Sequence, residues 1–491
     1  MSLNGMCVRT GRWQMRLVLA CGMVATASVA GAQDTRTVTE PKIPEACVKL
    51  SANLLGTEDG RITDGAGKSA EDKPDTERIQ KALDGCGAGK AVELADHVGP
   101  LAGMAGNAYL SGPLNIPEGV TLLVDKGVTL FASRRASDYD ITGAGTCGTI
   151  PAKGRCKPFI AIRAKDVAIM GDGVIDGRGG AKLLDKGVSW WALAVQGEPT
   201  AALPAGIPYS DPRLIDAAQA DGFTMYRITL HDSPNFHVGV SRTDGFTVWG
   251  VHLKTPVHQP GPNDPRPRNT DGIDPGSSTN VTIAHSWIDN GDDNVAIKTG
   301  VTHMSVIDNH FYSGHGMSIR SETNTGDSFL LVDGLTEDHT TSGIRIKSNA
   351  TRGGLVHDMV YKNICMRDVG VPIAISPYYN NQTIEGFTDP GIKGERIPDY
   401  KAITLENITD LTPGDVLIAG YDEAHRTQVE LKNVTIKGIT PDKVHVKLAD
   451  IVENGTDLPL EKAVTDNDVK VVVVDAKAKP YLCDGKFLPM R

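Results

Sequence analysis

From Asp221 onward the apolar residues fall in short β-branched runs, each closed by a polar turn, and the pattern repeats. "DGFTMYRITL" begins at Asp221 and "DGFTVWGVHL" at Asp244, 23 residues later. "NVTIAHSWI" begins at Asn280 and "HMSVIDNHF" at His303, again 23 residues apart. Weaker echoes start at His357, Tyr400 and Thr427. Each unit is a short strand, a turn and a second strand. A strand-built period in the twenties predicts stacked coils, because one coil cannot bury its own apolar face and a stack can. Leucines do not recur at the fixed offsets of a leucine-rich repeat, and propeller blades would be longer. The expected fold is therefore all-β, a parallel β-helix. Asn280, Asn363, Asn407 and Asn433 stand at the turns, where asparagine suits left-handed corners and side-chain ladders.

Helical periodicity stands out at one early place, "TERIQKAL". Asp75 is placed to cap it, Ile79, Ala82 and Leu83 share a face, and Gly85 follows its end. A solenoid exposes unpaired edges at its ends, so this helix is assigned as the N-terminal cap. Segments near 140–160, 255–268 and 380–399 are rich in Gly, Pro, Asn and charge and read as loops standing out from the coils. No linker divides the chain, so residues 33–491 are expected to form a single catalytic domain.

Residues 1–32 read as a secretory signal peptide: Arg9, Arg12 and Arg16, an apolar run from Leu17 to Ala30, then Ala30-Gly31-Ala32 as cleavage site. A secreted, extracellular protein is expected. Loss of the three arginines takes the net charge from −10 to −13. Cys7 and Cys21 leave with the leader. Cys47, Cys86, Cys147, Cys156, Cys365 and Cys483 remain, an even number that favours disulfides in an exported chain. Cys147 with Cys156 and Cys47 with Cys86 are the pairings that sequence proximity suggests. No Cys-x-x-Cys spacing suggests zinc.

The period also places the polar residues. Asp271 lies in "NTDGID", Asp292 is 21 residues on, and His315 is 23 beyond that, so each step is about one coil. Residues one period apart stand above one another at about 4.8 Å. Asp271, Asp292, Asp293 and His315 should therefore cluster on one lateral face. Arg345 and Lys347 are two apart on a strand and face the same way, so they should flank the cluster. Crowded carboxylates raise at least one carboxyl pKa, as a general acid requires, and the cations suit an anionic substrate.

These motifs resemble a known family. Asn269-Thr270-Asp271, Gly291-Asp292-Asp293, Gly314-His315-Gly316 and Arg345-Ile346-Lys347 stand in the order and spacing of the polygalacturonases of glycoside hydrolase family 28, and the likeness is greatest to bacterial endo-polygalacturonases. The resemblance implies a right-handed parallel β-helix and endo-acting, inverting hydrolysis of α-1,4-galacturonosidic bonds in polygalacturonate, or demethylated pectin. It implies that Asp292 is the general acid, that Asp271 and Asp293 hold and activate water, and that His315 supports the acid. It also implies that Arg345 and Lys347 bind a galacturonate carboxylate, that Asn269 lines the cleft, and that Tyr379 in "AISPYY", rather than Tyr378, is the family tyrosine. One departure is plain: the family usually reads G-H-G-x-S-I-G-S, and this chain has Arg320 in place of that glycine. Arg320 would crowd a subsite, add a carboxylate contact, or simply fill space beside Glu322.

An exo-acting enzyme is the nearer alternative. A calcium-dependent pectate lyase is a more distant one, since the three aspartates resemble calcium ligands, but it leaves the G-H-G and R-I-K elements without a role. A non-catalytic adhesin would need none of them. No cofactor, metal, nucleic acid or membrane partner is expected, and the protein is expected to be a monomer. An acidic body opposes approach of a polyanion at long range. Lys254, Arg266, Arg268, Lys298, Arg320, Arg345 and Lys347 therefore lead to the expectation of a locally basic cleft.

Overall fold

In a computed structural model, the described residues are 33–490 apart from 58–59, 98–105, 142, 144, 201–202, 204–205, 256–265, 381–387, 464–467 and 476. The expected leader and parts of the three expected loops lie outside them. The chain winds as a right-handed parallel β-helix with three strands per coil. In one coil these are Thr224–Tyr226, Thr229–His231 and Val238–Ser241. Each pairs in parallel with its successor, Thr247–Trp249, His252–Lys254 and Ile273–Gly276. The first two faces run together into one 22-stranded sheet and the third forms an 11-stranded sheet.

The repeats seen in the sequence are the coils. Thr224 pairs with Thr247 and Thr282 with Ser305, both 23 residues apart. Between them Thr247 pairs with Thr282, because the loop that includes 256–265 lengthens that coil. One buried apolar cluster runs through the stack from Ala52 to Leu460. The phenylalanines of the two "DGF" turns, Phe223 and Phe246, stack within it at 5.1 Å.

The bend between the first and second faces repeats a left-handed backbone corner. Asn363, Asn407 and Asn433 occupy it at φ of 57°, 55° and 51°. They form the expected ladder: Asn433 Nδ2 donates to Asn407 Oδ1 at 3.1 Å, and Asn407 Nδ2 to Asn363 Oδ1 at 3.0 Å. Asn280 is also left-handed but bonds to Asp244.

The helix Thr76–Asp84 packs Ile79 and Leu83 into the end of the core, as expected of a cap. Its termini differ from the sequence reading. The Asp75 carboxylate makes no cap bond; it pairs with Arg78 at 2.6 Å and accepts from Leu110 N at 3.3 Å, because tertiary partners outcompete the helix end. Gly85 is right-handed, at φ −90°. A second helix, Trp190–Gln196, is capped by Ser189 and was not anticipated. Cys47–Cys86 and Cys147–Cys156 are joined as suggested, and Cys365–Cys483 ties the C-terminal segment to the second face.

The interior also holds a carboxyl. Glu337, fully buried, accepts a bond from Met317 N at 3.2 Å through Oε1, while Oε2 has no partner among the described residues. Burial pushes it up to about 8. An unfolded Glu titrates near 4.3. Between these values the unfolded chain sheds a proton that the folded chain keeps, so this group lowers stability as pH rises through that window. Glu337→Gln keeps an acceptor for Met317 and removes the titration. The melting temperature of the variant relative to the parent should climb from about pH 4.3 to about 8 and then level off. A difference flat in pH would refute this account of Glu337.

Candidate active site

Three turns enter the third sheet on consecutive coils. Asp271 precedes the strand Ile273–Gly276, Asp293 precedes Val295–Ile297, and His315 precedes Met317–Ile319, each two residues before its strand. Ile273 pairs with Val295 and Val295 with Met317, so these three polar residues form one column. The sequence reading stacked Asp292 on Asp271; the register stacks Asp293 there instead. Asp292 stands one residue out of the column and keeps partial exposure, whereas Asp271 and Asp293 are 0% exposed.

The local motifs make this turn. Gly291 passes so near Pro267 that a β-carbon would sit 1.8 Å from its carbonyl oxygen. Gly314 is left-handed at φ 67°, with its hydrogen facing the Asp292 carbonyl. Asn290 Nδ2 donates to the carbonyls of Thr270 and Asp293, and Asn294 Nδ2 donates to Asn290 Oδ1 at 2.7 Å. His237, which the sequence reading missed, is fully buried and bonds the Asp271 carbonyl and the Thr255 hydroxyl. Burial brings its pKa down to about 4, so it braces the turn as a neutral ring.

The carboxylates differ in their partners. Asp293 Oδ1 accepts from Arg345 Nη1 at 2.9 Å, and its Oδ2 lies 3.2 Å from Lys347 Nζ. Burial opposes its charge, but Lys347, Arg345 and Arg320 outweigh that and hold it well below the usual carboxylate range. Asp271 Oδ2 accepts from Arg320 Nη1 at 2.6 Å, and its Oδ1 has no protein partner among the described residues. Burial, with Asp292 and Asp274 adding to it, pushes Asp271 well above its ordinary value, and Arg320 pulls the other way. Asp292 has no ion pair among the described residues. Its Oδ1 accepts from Asp293 N at 2.9 Å, and its Oδ2 lies 3.4 Å from Asn269 Nδ2. Tyr209 OH in turn donates to Asn269 Oδ1 at 2.7 Å. Tyr209 lies 60 residues before Asn269 at the end of a loop, and no motif pointed to it.

His315 donates its backbone N–H to the Asp292 carbonyl at 2.9 Å, and its Nδ1 meets the Thr341 hydroxyl. Burial lowers its pKa, against the pull of Asp292. Burial and Arg345 bring Lys347 down to about 8. The Tyr379 ring lies 5.3 Å from Lys347 Nζ, whereas Tyr378 is buried and donates to the Gly420 carbonyl.

Oxygens of Asp271, Asp292 and Asp293 lie within 4.8 Å of one another. A divalent ion would find little surplus charge here. Asp274, missed although it ends the first motif, adds a fourth carboxylate 2.7 Å from Lys298, and Lys298, Arg320, Arg345 and Lys347 match the four acids. The floor is thus charge-balanced rather than basic. Arg266 and Arg268 face Glu198.

A family model described as glycosyl hydrolases family 28 matches residues 108–455. The chain is 40% identical over 428 residues to an endo-polygalacturonase of Pectobacterium carotovorum subsp. carotovorum, covering 86% of this chain and 94% of that protein. It is 36% identical to a polygalacturonase of Ralstonia nicotianae, covering 98% of both. The solved polygalacturonase of Erwinia carotovora ssp. carotovora superposes with a TM-score of 0.69 at 38% identity, over 84% of this chain and all of that one. With the four motifs gathered on one face of the coils and the match spanning most of its length, the chain belongs to glycosyl hydrolases family 28.

Proposed function

We propose that this chain is an endo-polygalacturonase that hydrolyses α-1,4-galacturonosidic bonds of polygalacturonate with inversion at the anomeric carbon. One observation carries the division of labour. Of three carboxylates whose oxygens lie within 4.8 Å of one another, two are sealed from solvent and ion-paired, and the third, Asp292, is half-buried without a counter-ion among the described residues. A general acid must touch the glycosidic oxygen, and only Asp292 is exposed enough to do so. With Oδ1 taken by the Asp293 N–H, the proton sits on Oδ2. Asp271 and Asp293, at 0% exposure, lie behind Asp292 and out of reach of a sugar.

The step then balances simply. Water held by Asp271 and Asp293 adds to the anomeric carbon as the glycosidic bond breaks. Asp271, made more basic by its surroundings, takes the water's proton. Asp292 gives its proton to the departing oxygen. Asp293, held charged by Lys347 and Arg345, orients the water and is too weakly basic to abstract from it. His315 braces the Asp292 turn. The oxygen spacing is shorter than the about 6.5–9.5 Å usual between the carboxyl groups of inverting enzymes. Inversion therefore rests on exposure: a sealed carboxylate cannot attack a sugar directly.

Arg345 and Lys347 serve two partners in this reading. They hold Asp293 and stand beside Tyr379 to bind a substrate carboxylate, while Asn269 lines the cleft. The endo assignment is supported by the similarity to endo-polygalacturonases. A calcium-dependent lyase is disfavoured by the charge balance of the floor. The proposal extends to export: residues 1–32 as signal peptide, 33–491 as one catalytic domain acting as an extracellular monomer. The three disulfides suit an oxidising compartment, and among the described residues no helix is long and apolar enough to cross a membrane.

Incubation with polygalacturonate should release reducing ends as a ladder of oligomers, insensitive to chelator. Unsaturated, ultraviolet-absorbing products that vanish with chelator would establish a lyase instead. Asp292→Asn, nearly isosteric, should lower kcat by ~10²–10⁴ with the fold intact by circular dichroism; near-normal turnover would remove Asp292 from the acid role.

Proton NMR of the fresh product should show β-configured reducing ends before mutarotation. An initial α signal would mean retention and end the water-holding roles of Asp271 and Asp293.

Because Lys347 pairs with Asp293 as well as facing the groove, Lys347→Ala should lower kcat and raise KM together. A change confined to KM would show that its bond to Asp293 carries no catalytic weight.

A further inference from the structure

Lys298, Arg320 and Lys347 follow Ile297, Ile319 and Ile346, which pair across three consecutive coils of the third sheet. Arg320 is the member that departs from the family pattern. Its charge acts on Glu322 but makes no ion pair with it, and the Glu322 carboxylate accepts from Arg352 at 2.8 Å. Its guanidinium enters the carboxylate cluster. Nη1 donates to Asp271 Oδ2 at 2.6 Å and lies 3.8 Å from Asp274 Oδ2, and Nε lies 3.9 Å from Asp293 Oδ2. The Phe236 ring backs it, 5.6 Å from centroid to Cζ.

We propose that Arg320 is a positioning residue for the hydrolytic water: it clamps Asp271 by Oδ2, favours the charged form of that carboxylate against its acidic neighbours, and leaves Oδ1 to accept the water's proton. The proposal rests on the polygalacturonase reading above and assigns Arg320 a part the family's glycine cannot play.

The pairing pattern supports it. Asp274 has Lys298 at 2.7 Å, and Asp293 has Arg345 and Lys347. Asp271 faces Asp292, Asp274 and Asp293, with the neutral Tyr209 hydroxyl beyond and His237 bound to its backbone carbonyl. Arg320 is its one ion-pair partner among the described residues. Without that guanidinium a carboxylate at 0% exposure would stand among three others with no ion-pair partner among the described residues, and its charged form would be disfavoured further. A protonated Asp271 cannot accept another from water. The alternatives fit less well. A contact with a substrate carboxylate would leave the 2.6 Å charge-assisted bond to Asp271 without a part, and simple crowding does not require it.

The test compares the parent with Arg320→Gly, which restores the family residue, and with Arg320→Lys. In the glycine variant the acid limb of kcat/KM on polygalacturonate should move up by about 1–3 pH units, with the lysine variant between. In parallel, ¹³C NMR titration of aspartate carboxyls, with Asp271 assigned through Asp271→Asn, should show its midpoint rising in the same order. A higher KM with the acid limb in place would make Arg320 a substrate contact and overturn the proposal; a lower KM with the limb in place would make it a crowding residue and do the same. If the parent releases no reducing ends from polygalacturonate, the functional reading fails, while the NMR titration still decides whether Arg320 governs Asp271. If Arg320→Gly does not fold, the lysine variant decides by the same two readouts.

Discussion

Each coil of the third sheet sits on the next through a parallel hydrogen-bond ladder, and a slip of one residue would turn Ile273, Val295, Met317 and Ile344 out of the core. That constraint sets the chemistry. Because the apolar residues must stay in, the turns entering this sheet stack at the coil spacing, and whatever stands two residues before each strand is brought beside its equivalents. In this chain those residues are Asp271, Asp293 and His315. Two carboxylates are thereby forced together at 0% exposure, a burial that is costly unless each charge is matched.

The cations on the strands supply the match, and how they are shared makes the acids unequal. Asp293 takes Arg345 and Lys347, Asp274 takes Lys298, and Asp271 takes Arg320. Asp292, one residue out of the column, takes none among the described residues and keeps contact with the groove. A single turn, Gly291-Asp292-Asp293, thus carries one carboxyl that keeps partial exposure and one that is sealed and held ionised. The difference comes from burial and pairing, not from residue type. An anionic polymer approaching this floor would meet a balanced set of charges rather than an excess of positive ones.

Much of this was legible in the chain. Contacts between coils occur at a nearly constant sequence separation, so the 23-residue repeats exposed the architecture and put the four motifs on one face. The capping helix could be read because Ile79 and Leu83 follow helical spacing, and two disulfides because their cysteines are close in sequence. The same arithmetic erred by one residue at Asp292, since a period judged from motifs does not give the ladder register. Tyr209 and His237 were missed because loops of irregular length carry them to the site. Asp75 was misassigned because Arg78 and the first coil compete for its carboxylate.

Sequence alone determined the solenoid, the family and the motif residues that gather on one face, because a repeated apolar pattern has one way to bury itself and the motifs recur at that repeat. Only the tertiary structure decided which carboxylate is sealed, which cation each one holds, and that Arg320 turns into the cluster rather than toward Glu322. Those outcomes depend on competition among charged groups for a few partners at low dielectric. Such competition is settled by distances of a few ångströms across coils, and it leaves no period in the chain to read.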